Sequence, residues 1–153
     1  MKKYSFTGET KVVFGVTLKQ IKATASFGCV VKGEIGGWIK KSKNLDRSGN
    51  AWVSGDAQVY GDAQVYGNAQ VSGNARVYGN AWEITPLCIH ATRFSVSVSS
   101  KTIISIGCER NTVEEWDKNG EEIGKAHGFT ETQMAEYRLY IDICKKWMAI
   151  YCK

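Results

Sequence analysis

Apolar and polar residues alternate with a period of six through the middle of the chain. From Gly49 to Ile84, six units follow one another without an insertion. Each unit begins with Gly, then Asp or Asn, then Ala, and its fourth residue varies. The fifth residue is usually Val, and the sixth also varies. Alternate residues of a strand face the same side, so Ala and Val share one face, while Gly with Asp or Asn favours a turn. A period of six is typical of a β-helix.

Three such units, or eighteen residues, are expected to form one turn of the coil. Residues eighteen positions apart should then stack at the ladder spacing of ~4.8 Å. The predicted pairs are Trp52 over Gln70, Gln58 over Arg76, Gln64 over Trp82 and Tyr60 over Tyr78. The aromatic residues of the walls are expected to point outward. Glu83 replaces the recurring Val and Pro86 follows it, which predicts the end of the repeat there.

These 36 residues resemble the left-handed β-helix, or hexapeptide-repeat, superfamily. The resemblance implies a mainly β fold, with a short left-handed parallel β-helix of about two regular coils plus an irregular cap. Flanking strands and a C-terminal α-helical segment complete the predicted fold class. The expected divisions are an N-terminal β cap (1–48), the β-helix (49–84), β strands (85–107) and a helical segment (108–153). So short a coil needs caps and favours self-association, with a homotrimer implied by the superfamily.

The flanks contain further strand and helix signals. Strands are predicted over 12–14, 16–23, 93–99 and 102–106, with an irregular first turn over 28–39. Asn111 or Thr112 can cap a first helix, which pauses before Glu121 and ends at Gly128. Thr130 to Gln133 matches a capping box that begins a last helix.

The last helix, expected to run to about Tyr151, has an apolar stripe at spacings of three and four. The stripe comprises Met134, Tyr137, Ile141, Cys144, Met148 and Tyr151. Docking of this stripe on its own domain is the favoured interpretation, and a partner groove or a counterpart helix in an oligomer are the alternatives. The candidate residues for an oligomer interface are Met134, Tyr137, Ile141, Trp147 and Met148.

Several motifs together resemble small phage or prophage-encoded proteins that combine hexapeptide repeats with a helical tail. They are the Met1-Lys2-Lys3-Tyr4 start, Gly36-Gly37-Trp38, the repeat, Ile106-Gly107-Cys108 and Val113-Glu114-Glu115-Trp116. This resemblance implies a viral accessory role, with interference with host defence as the expected activity and the host cytoplasm as the expected location. No apolar run approaches the ~18 residues of a membrane span, and the N-terminus turns polar too soon for a signal peptide.

Charge and cysteine content narrow the chemistry. The chain has 153 residues and a net charge of +5, and basic residues are concentrated in 1–48. A basic segment favours anionic partners, although a solvated surface is an equal alternative. The five cysteines are scattered without a C-x-x-C pair or a histidine at ligand spacing. We therefore expect reduced thiols, no metal site and no cofactor.

An acyltransferase is the enzyme alternative, because hexapeptide-repeat enzymes typically bind acyl-coenzyme A between coils of a trimer and use a histidine base. The two histidines, His90 and His127, lie outside the repeat and have no acidic neighbour in sequence. Cys108 has no histidine near it in sequence to activate it. No catalytic residue is therefore assigned, and the enzyme reading is the weaker one.

The sequence favours a binding protein. Aromatic planes and cations together can hold a nucleotide by base stacking and phosphate pairing. The candidate binding residues are Trp52, Tyr60, Tyr66, Arg76, Tyr78, Trp82, Lys40, Lys41 and Lys43. The same aromatics could instead form a subunit interface. The expected function is capture or inhibition of a host-defence component, either a nucleotide signal or a protein, with a structural scaffold as the third possibility.

Overall fold

The chain folds into two compact units that meet in sequence between Pro86 and Leu87. The computed structural model describes residues 2–79 and 81–153. Unit 1 is the part before this boundary and consists of strands and one short 3-10 helix. Unit 2 begins at Leu87 and contains both α-helices. The boundary coincides with the only proline, a residue that cannot donate to a strand ladder.

Unit 1 begins with a long hairpin followed by short strands. Its elements are β1 (Tyr4–Val13), β2 (Val16–Ala23), β3 (Ile35–Ile39), a 3-10 helix (Ser42–Asn44), β4 (Trp52–Val53), β5 (Gln58–Tyr60), β6 (Gln64–Val65), β7 (Gln70–Val71), β8 (Arg76–Tyr78) and β9 (Ala81–Trp82). Phe14 and Gly15 form the hairpin turn, and both have a positive φ. The first strand begins eight residues before the predicted one, because its partner β2 extends the pairing as far as Tyr4.

One five-stranded sheet joins the hairpin to the repeat, in the order β1-β2-β3-β5-β8. The hairpin strands and β3 pair antiparallel, whereas β3, β5 and β8 are parallel. Trp38 pairs with Gln58, and Leu45 bridges Val65, at a spacing of twenty residues in each case. The segment before the repeat therefore stacks on it with two extra residues, as an irregular first turn would.

Within the repeat, three of the four predicted stacks are observed. Trp52 pairs with Gln70, Gln58 with Arg76 and Tyr60 with Tyr78. The two tyrosine rings lie 5.2 Å apart and nearly parallel. The Ala and Val residues that recur in the described units are buried: Ala51, Val53, Ala57, Val59, Ala63, Val65, Ala69, Val71, Ala75 and Val77. The small and β-branched side chains therefore form the core of unit 1.

The fourth predicted stack is wrong by one residue. Trp82 pairs with Val65, and Gln64 pairs with Ala81. The spacing there is seventeen residues, and a slip of one position turns a side chain to the opposite face of its strand. Trp82 consequently occupies the place of a core Val and is only 4% exposed. The same slip leaves Glu83 exposed, so its charge does not enter the core.

The expectation that the wall aromatics are exposed is also wrong for Trp52 and Tyr60. Trp52 is 2% exposed and lies edge-on to the ring of Phe27, 5.4 Å away. Tyr60 is 8% exposed and stacks on Tyr78. The N-terminal segment reaches back over the repeat, which sequence spacing alone did not indicate.

Lys3 ties the N-terminus to the start of the repeat. Its ammonium group donates to the carbonyl oxygens of Ser48 at 2.9 Å, Gly49 at 3.3 Å and Ala51 at 2.7 Å. The side chain is buried, and burial lowers the pKa of Lys3 although the charge of Asp46 opposes the shift. Three backbone acceptors thus compensate the burial of this charge.

Unit 2 is an antiparallel sheet followed by two helices. Its elements are β10 (Cys88–Ile89), β11 (Val96–Val98), β12 (Ile103–Ile106), β13 (Glu109–Thr112), α1 (Val113–Ala126) and α2 (Glu131–Tyr151). The sheet order is β10-β11-β12-β13. Two of these strands, β10 and β13, were not predicted, because each is short and lacks an alternating apolar pattern.

Both helices begin at capping boxes. Thr112 and Glu115 cap α1, and Thr130 and Gln133 cap α2 as predicted. Helix α1 runs without the predicted pause before Glu121. From the apolar stripe of α2, Tyr137, Cys144 and Met148 are buried. The stripe therefore packs within the chain up to Met148, whereas Tyr151 at its end is 52% exposed. Tyr137 and Met148 are thus already covered by their own chain, and a role of the half-buried Met134, Ile141 and Trp147 in an oligomer interface stays a prediction.

Candidate functional site

Unit 1 carries the whole net charge of the protein. Its sequence contains eleven Lys or Arg residues and six Asp or Glu residues, whereas unit 2 contains nine of each. The excess positive charge of +5 therefore belongs to the β-rich unit, and a positive field of this kind attracts anions.

A groove of about 340 Å³ opens on this basic unit, where the 3-10 helix lies beside β6. We call it the basic groove. It is lined by Ser42, Lys43, Leu45, Asp46, Arg47, Gln64, Val65 and Tyr66. It combines two cationic side chains, one aromatic ring, hydroxyl and amide groups and two aliphatic residues in one concave surface.

Asn44 holds one side of the basic groove in place. Its side chain is fully buried, donates to the carbonyl oxygen of Ala63 at 2.8 Å and accepts from the backbone N–H of Lys41 at 2.8 Å. Leu45 then bridges Val65, and the backbone N–H of Asp46 donates to the carbonyl oxygen of Val65 at 2.9 Å. A buried amide with both ends satisfied fixes the loop that carries Lys43 and Arg47.

The charges of the basic groove are only partly neutralised. Lys43 and Arg47 are exposed, and within the described residues neither makes an ion pair with a carboxylate. Burial is the largest single influence on Asp46 and opposes its ionisation, but hydrogen bonds from Ser48 and from the backbone of Arg47, together with the charge of Lys3, outweigh it and lower the pKa of Asp46. Two cations thus face one carboxylate that Ser48 already engages.

Of the nine predicted binding residues, the structure brings only Lys43 and Tyr66 together in this groove. Lys41 pairs with Asp62 at 3.3 Å, and Lys40 is exposed outside the lining. Arg76 lies on β8 with its guanidinium 5.0 Å from the ring centre of Phe14. Trp52, Tyr60 and Trp82 are buried. Arg47 was counted in the basic segment but not among the site residues.

Unit 2 has a second groove, of about 370 Å³, between its sheet and its two helices. We call it the helix groove. Apolar side chains including Phe94, Trp116, Phe129 and Ile141 line it. The lining also contains two ion pairs, Lys145 with Asp117 at 2.8 Å and Arg138 with Glu121 at 3.4 Å.

Three chemically distinctive side chains meet in the helix groove. Glu109 Oε1 lies 2.9 Å from His127 Nε2. Ligand atoms of Cys108, Glu109 and His127 all lie within 4.8 Å of one another. Because His127 has no acidic neighbour in sequence and Cys108 no nearby histidine, sequence reasoning missed this cluster. The fold makes it by returning the end of α1 to the turn between β12 and β13.

The comparisons with known proteins reach only the repeat. A family model for the YdcK beta solenoid repeat matches residues 69–83. This match supports a β-solenoid-like repeat at a coarse level. Among the curated proteins, none matches the chain significantly. Neither of the described helices is long and apolar enough to cross a membrane.

Proposed function

We propose that the protein is a non-enzymatic binding protein that captures a small anionic ligand with an aromatic group, of the nucleotide class. The observation that carries the proposal is the basic groove, in which Tyr66 lies with Lys43 and Arg47 on the unit that holds all the net positive charge. The proposed ligand site is therefore smaller than the set of nine residues expected from sequence and is confined to the basic groove.

The chemistry of the groove suits a nucleotide. A phosphate accepts hydrogen bonds from an ammonium and a guanidinium group, and such charged contacts are stronger than neutral ones. A base stacks on an aromatic ring, a contact of about 1–3 kcal/mol. Tyr66 has 36% of its surface exposed and can offer its ring face. A protein face is the other anionic partner that the same charges attract.

The repeat forms the support of this groove. Its strands pair in three separate parallel sets, with eighteen residues between partners in the regular part. Three sets at that spacing are those of a three-sided coil, and we propose a short left-handed parallel β-helix. The two-residue strands β4, β6 and β7 are of the length that one side of such a coil requires.

The proposed biological role is that of a phage-type accessory protein in the host cytoplasm, acting on a host-defence component. The resemblance of the N-terminal, Gly-Gly-aromatic, repeat and tail motifs to small phage-encoded proteins supports this part. Sequestration needs only tight binding, and a nucleotide signal or a host protein would both be inhibited in that way. We propose that the protein acts as a homotrimer.

The test is a thermal-shift panel on the purified full chain, containing cyclic oligonucleotides, ADP-ribose derivatives, NAD and acetyl-coenzyme A. A ligand at a hundred times its dissociation constant adds ~2.7 kcal/mol to stability, which is visible as a rise in Tm. We expect a rise with a nucleotide ligand. Lys43→Ala and Tyr66→Ala should each weaken that ligand about tenfold or more, because each removes a contact of about 1.4 kcal/mol or more.

Lys22→Ala is the matched control. Lys22 is exposed on β2 of the same unit and lies outside the groove lining, so this change removes the same charge without touching the site. If Lys22→Ala weakens ligand binding as much as Lys43→Ala does, the loss of affinity is an effect of net charge and not of the groove. Unchanged affinity when Lys43→Ala and Tyr66→Ala are combined in one chain would contradict the proposed binding site in the basic groove. A shift with acetyl-coenzyme A alone would favour the acyltransferase alternative, and no shift with any compound would favour a protein partner.

A further inference from the structure

The cluster in the helix groove has the donor set of a transition-metal site. Cys108 supplies a thiol sulfur, His127 a ring nitrogen and Glu109 a carboxylate oxygen. Zn²⁺ binds all three types in proteins, the sulfur at about 2.3 Å and the nitrogen and oxygen at about 2.1 Å. Thiolate and imidazole ligands favour Zn²⁺ over Mg²⁺ and Ca²⁺, which prefer oxygen.

The spacing of the three atoms suits a common ion. Ligand atoms around a tetrahedral zinc lie about 3.5 Å from one another. The three atoms here all lie within 4.8 Å of one another, and Glu109 Oε1 lies 2.9 Å from His127 Nε2. The widest of the three separations therefore has to shorten by at most about 1.3 Å to suit a tetrahedral ion, and rotations of the exposed Cys108 and half-buried His127 side chains can provide that change.

The backbone around the cluster is firmly held. Cys108 follows Gly107 in the tight turn between β12 and β13, where Ile106 pairs with Glu109. Gly107 has a φ of 56° there, which favours glycine. His127 is the residue after α1, and its N–H donates to the carbonyl oxygen of Ile123 at 3.1 Å. Ligands on a paired strand end and a helix end are pre-organised for an ion.

The electrostatics favour a cation. The C-terminal end of a helix carries partial negative charge, and His127 lies at that end of α1. The two Lys or Arg residues of the groove lining, Arg138 and Lys145, are both engaged by carboxylates, those of Glu121 and Asp117. In the metal-bound site, the thiolate of Cys108 and the carboxylate of Glu109 would place two formal negative charges next to the ion.

We propose that Cys108, Glu109 and His127 form a three-ligand site for Zn²⁺ whose fourth position faces the helix groove. Three protein ligands with an open position are typical of sites where the metal also contacts water or a second ligand. The adjacent groove, of about 370 Å³, has room for such a ligand. The site lies in unit 2 and is independent of the basic groove.

The experiment is a titration of the full chain with Zn²⁺ and with Co²⁺, in a buffer containing a non-chelating reductant. We expect one ion per chain. Cobalt should produce a thiolate charge-transfer band and the visible absorption of a four- or five-coordinate ion. Cys108→Ser should abolish the band, and His127→Gln and Glu109→Gln should each weaken zinc about tenfold or more in competition with a chelator.

Cys29→Ser and His90→Gln are the matched controls, because both residues are exposed and lie outside the cluster. They should leave the stoichiometry, the affinity and the cobalt spectrum unchanged. The circular dichroism of each variant shows whether the helices are intact, so that loss of binding and loss of fold are distinguished. The proposal is overturned if the wild-type chain binds no ion, or if Cys108→Ser and His127→Gln bind zinc as the wild type does.

Discussion

Burial decides the chemistry of the cysteines. Cys144 on α2 has no exposed surface, and burial raises the pKa of its thiol to about 12, with the charge of Cys88 adding to the shift. Cys29 and Cys108 are exposed instead. At neutral pH, thiol reagents should therefore modify Cys29 and Cys108 and leave Cys144 unmodified until unit 2 opens.

The raised pKa of Cys144 predicts a loss of stability in alkali. The folded chain keeps this proton to higher pH than the unfolded chain, whose thiol has a pKa near 9.0. The stabilisation is therefore complete below about pH 9 and is lost as the pH rises towards 12, by about 1.4 kcal/mol per pH unit. The measurement is chemical denaturation followed by helix circular dichroism, under reducing conditions.

Cys144→Ala lacks this titration and is the decisive comparison for it. Its free energy of unfolding should decline less steeply than that of the wild type above about pH 9. Cys29→Ala, which removes an exposed thiol from the other unit, should follow the wild-type curve. Identical slopes for the wild type and Cys144→Ala would show that this thiol does not titrate with a raised pKa.

The sequence predicted which residue types form the core of the repeat better than it predicted where individual aromatic side chains lie. The buried Ala and Val of the repeat follow from size and alternation, which act locally. Trp82 could not be placed, because a one-residue shift in the last coil reverses its side chain and no local signal marks the shift. Trp52 could not be placed either, since its cover, Phe27, comes from a distant irregular segment.

At the level of elements, β3 depends on two glycines that leave no room for a side chain. A Cβ on Gly36 would lie 2.6 Å from Ile21 Cγ1, 2.7 Å from Trp52 Cζ2 and 2.7 Å from the carbonyl oxygen of Val53. A Cβ on Gly37 would lie 2.8 Å from the carbonyl oxygen of Ala57. The Gly-Gly pair thus lets β3 pack closely between the hairpin and the repeat.

Gly36→Ala should destabilise unit 1 by about 1–3 kcal/mol, because a backbone oxygen and two packed side chains must move. Hydrogen exchange measured by mass spectrometry should show faster exchange in β2, β3 and β4 with little change in unit 2. Gly120→Ala is the control: its Cβ would meet only Trp116 Cε3, at 3.7 Å, and the change should stabilise α1 by up to about 1 kcal/mol. Wild-type exchange in Gly36→Ala would contradict the close packing.

The helix starts could be predicted from the sequence, whereas one of the strands could not. The capping box of α2 was predicted, and for α1 the cap was narrowed to Asn111 or Thr112, because a cap is satisfied within four residues of chain. The strand β13 was not, since its sequence Glu-Arg-Asn-Thr is polar and it pairs only because β12 precedes it across a tight turn. The same turn and the end of α1 bring together Cys108, Glu109 and His127. Their spacing in the sequence therefore could not predict that they lie close together.

At the scale of the whole molecule, the two units differ in net charge and in the kind of groove that each contains. Unit 1 holds the excess positive charge and the basic groove, and unit 2 holds the helix groove and the proposed metal site. The buried face of α2 contains Tyr137, Cys144 and Met148. At about 100° per residue, Leu139, Ile143 and Ile150 lie on its opposite side. They are 57%, 40% and 64% exposed, an apolar row that a single chain leaves uncovered.

This row offers a specific test of the proposed homotrimer. Three copies of α2 could bury it together, as helices with an apolar seam do. Native mass spectrometry of the wild type should then give three times the chain mass of 17.0 kDa. Leu139→Glu combined with Ile143→Glu should give the single-chain mass with the helical circular dichroism retained, because buried like charges oppose association.

Ala149→Glu provides the matched control, since it adds a charge to an exposed position of the same helix about 80° away from the row. It should leave the mass unchanged. A trimer that survives the double substitution would mean that association uses another surface, with the edge strand β8 at the far end of the five-stranded sheet as the next candidate. A wild-type chain that is monomeric at micromolar concentration would contradict the trimer itself, and ligand capture would then have to be achieved by the basic groove of one chain alone.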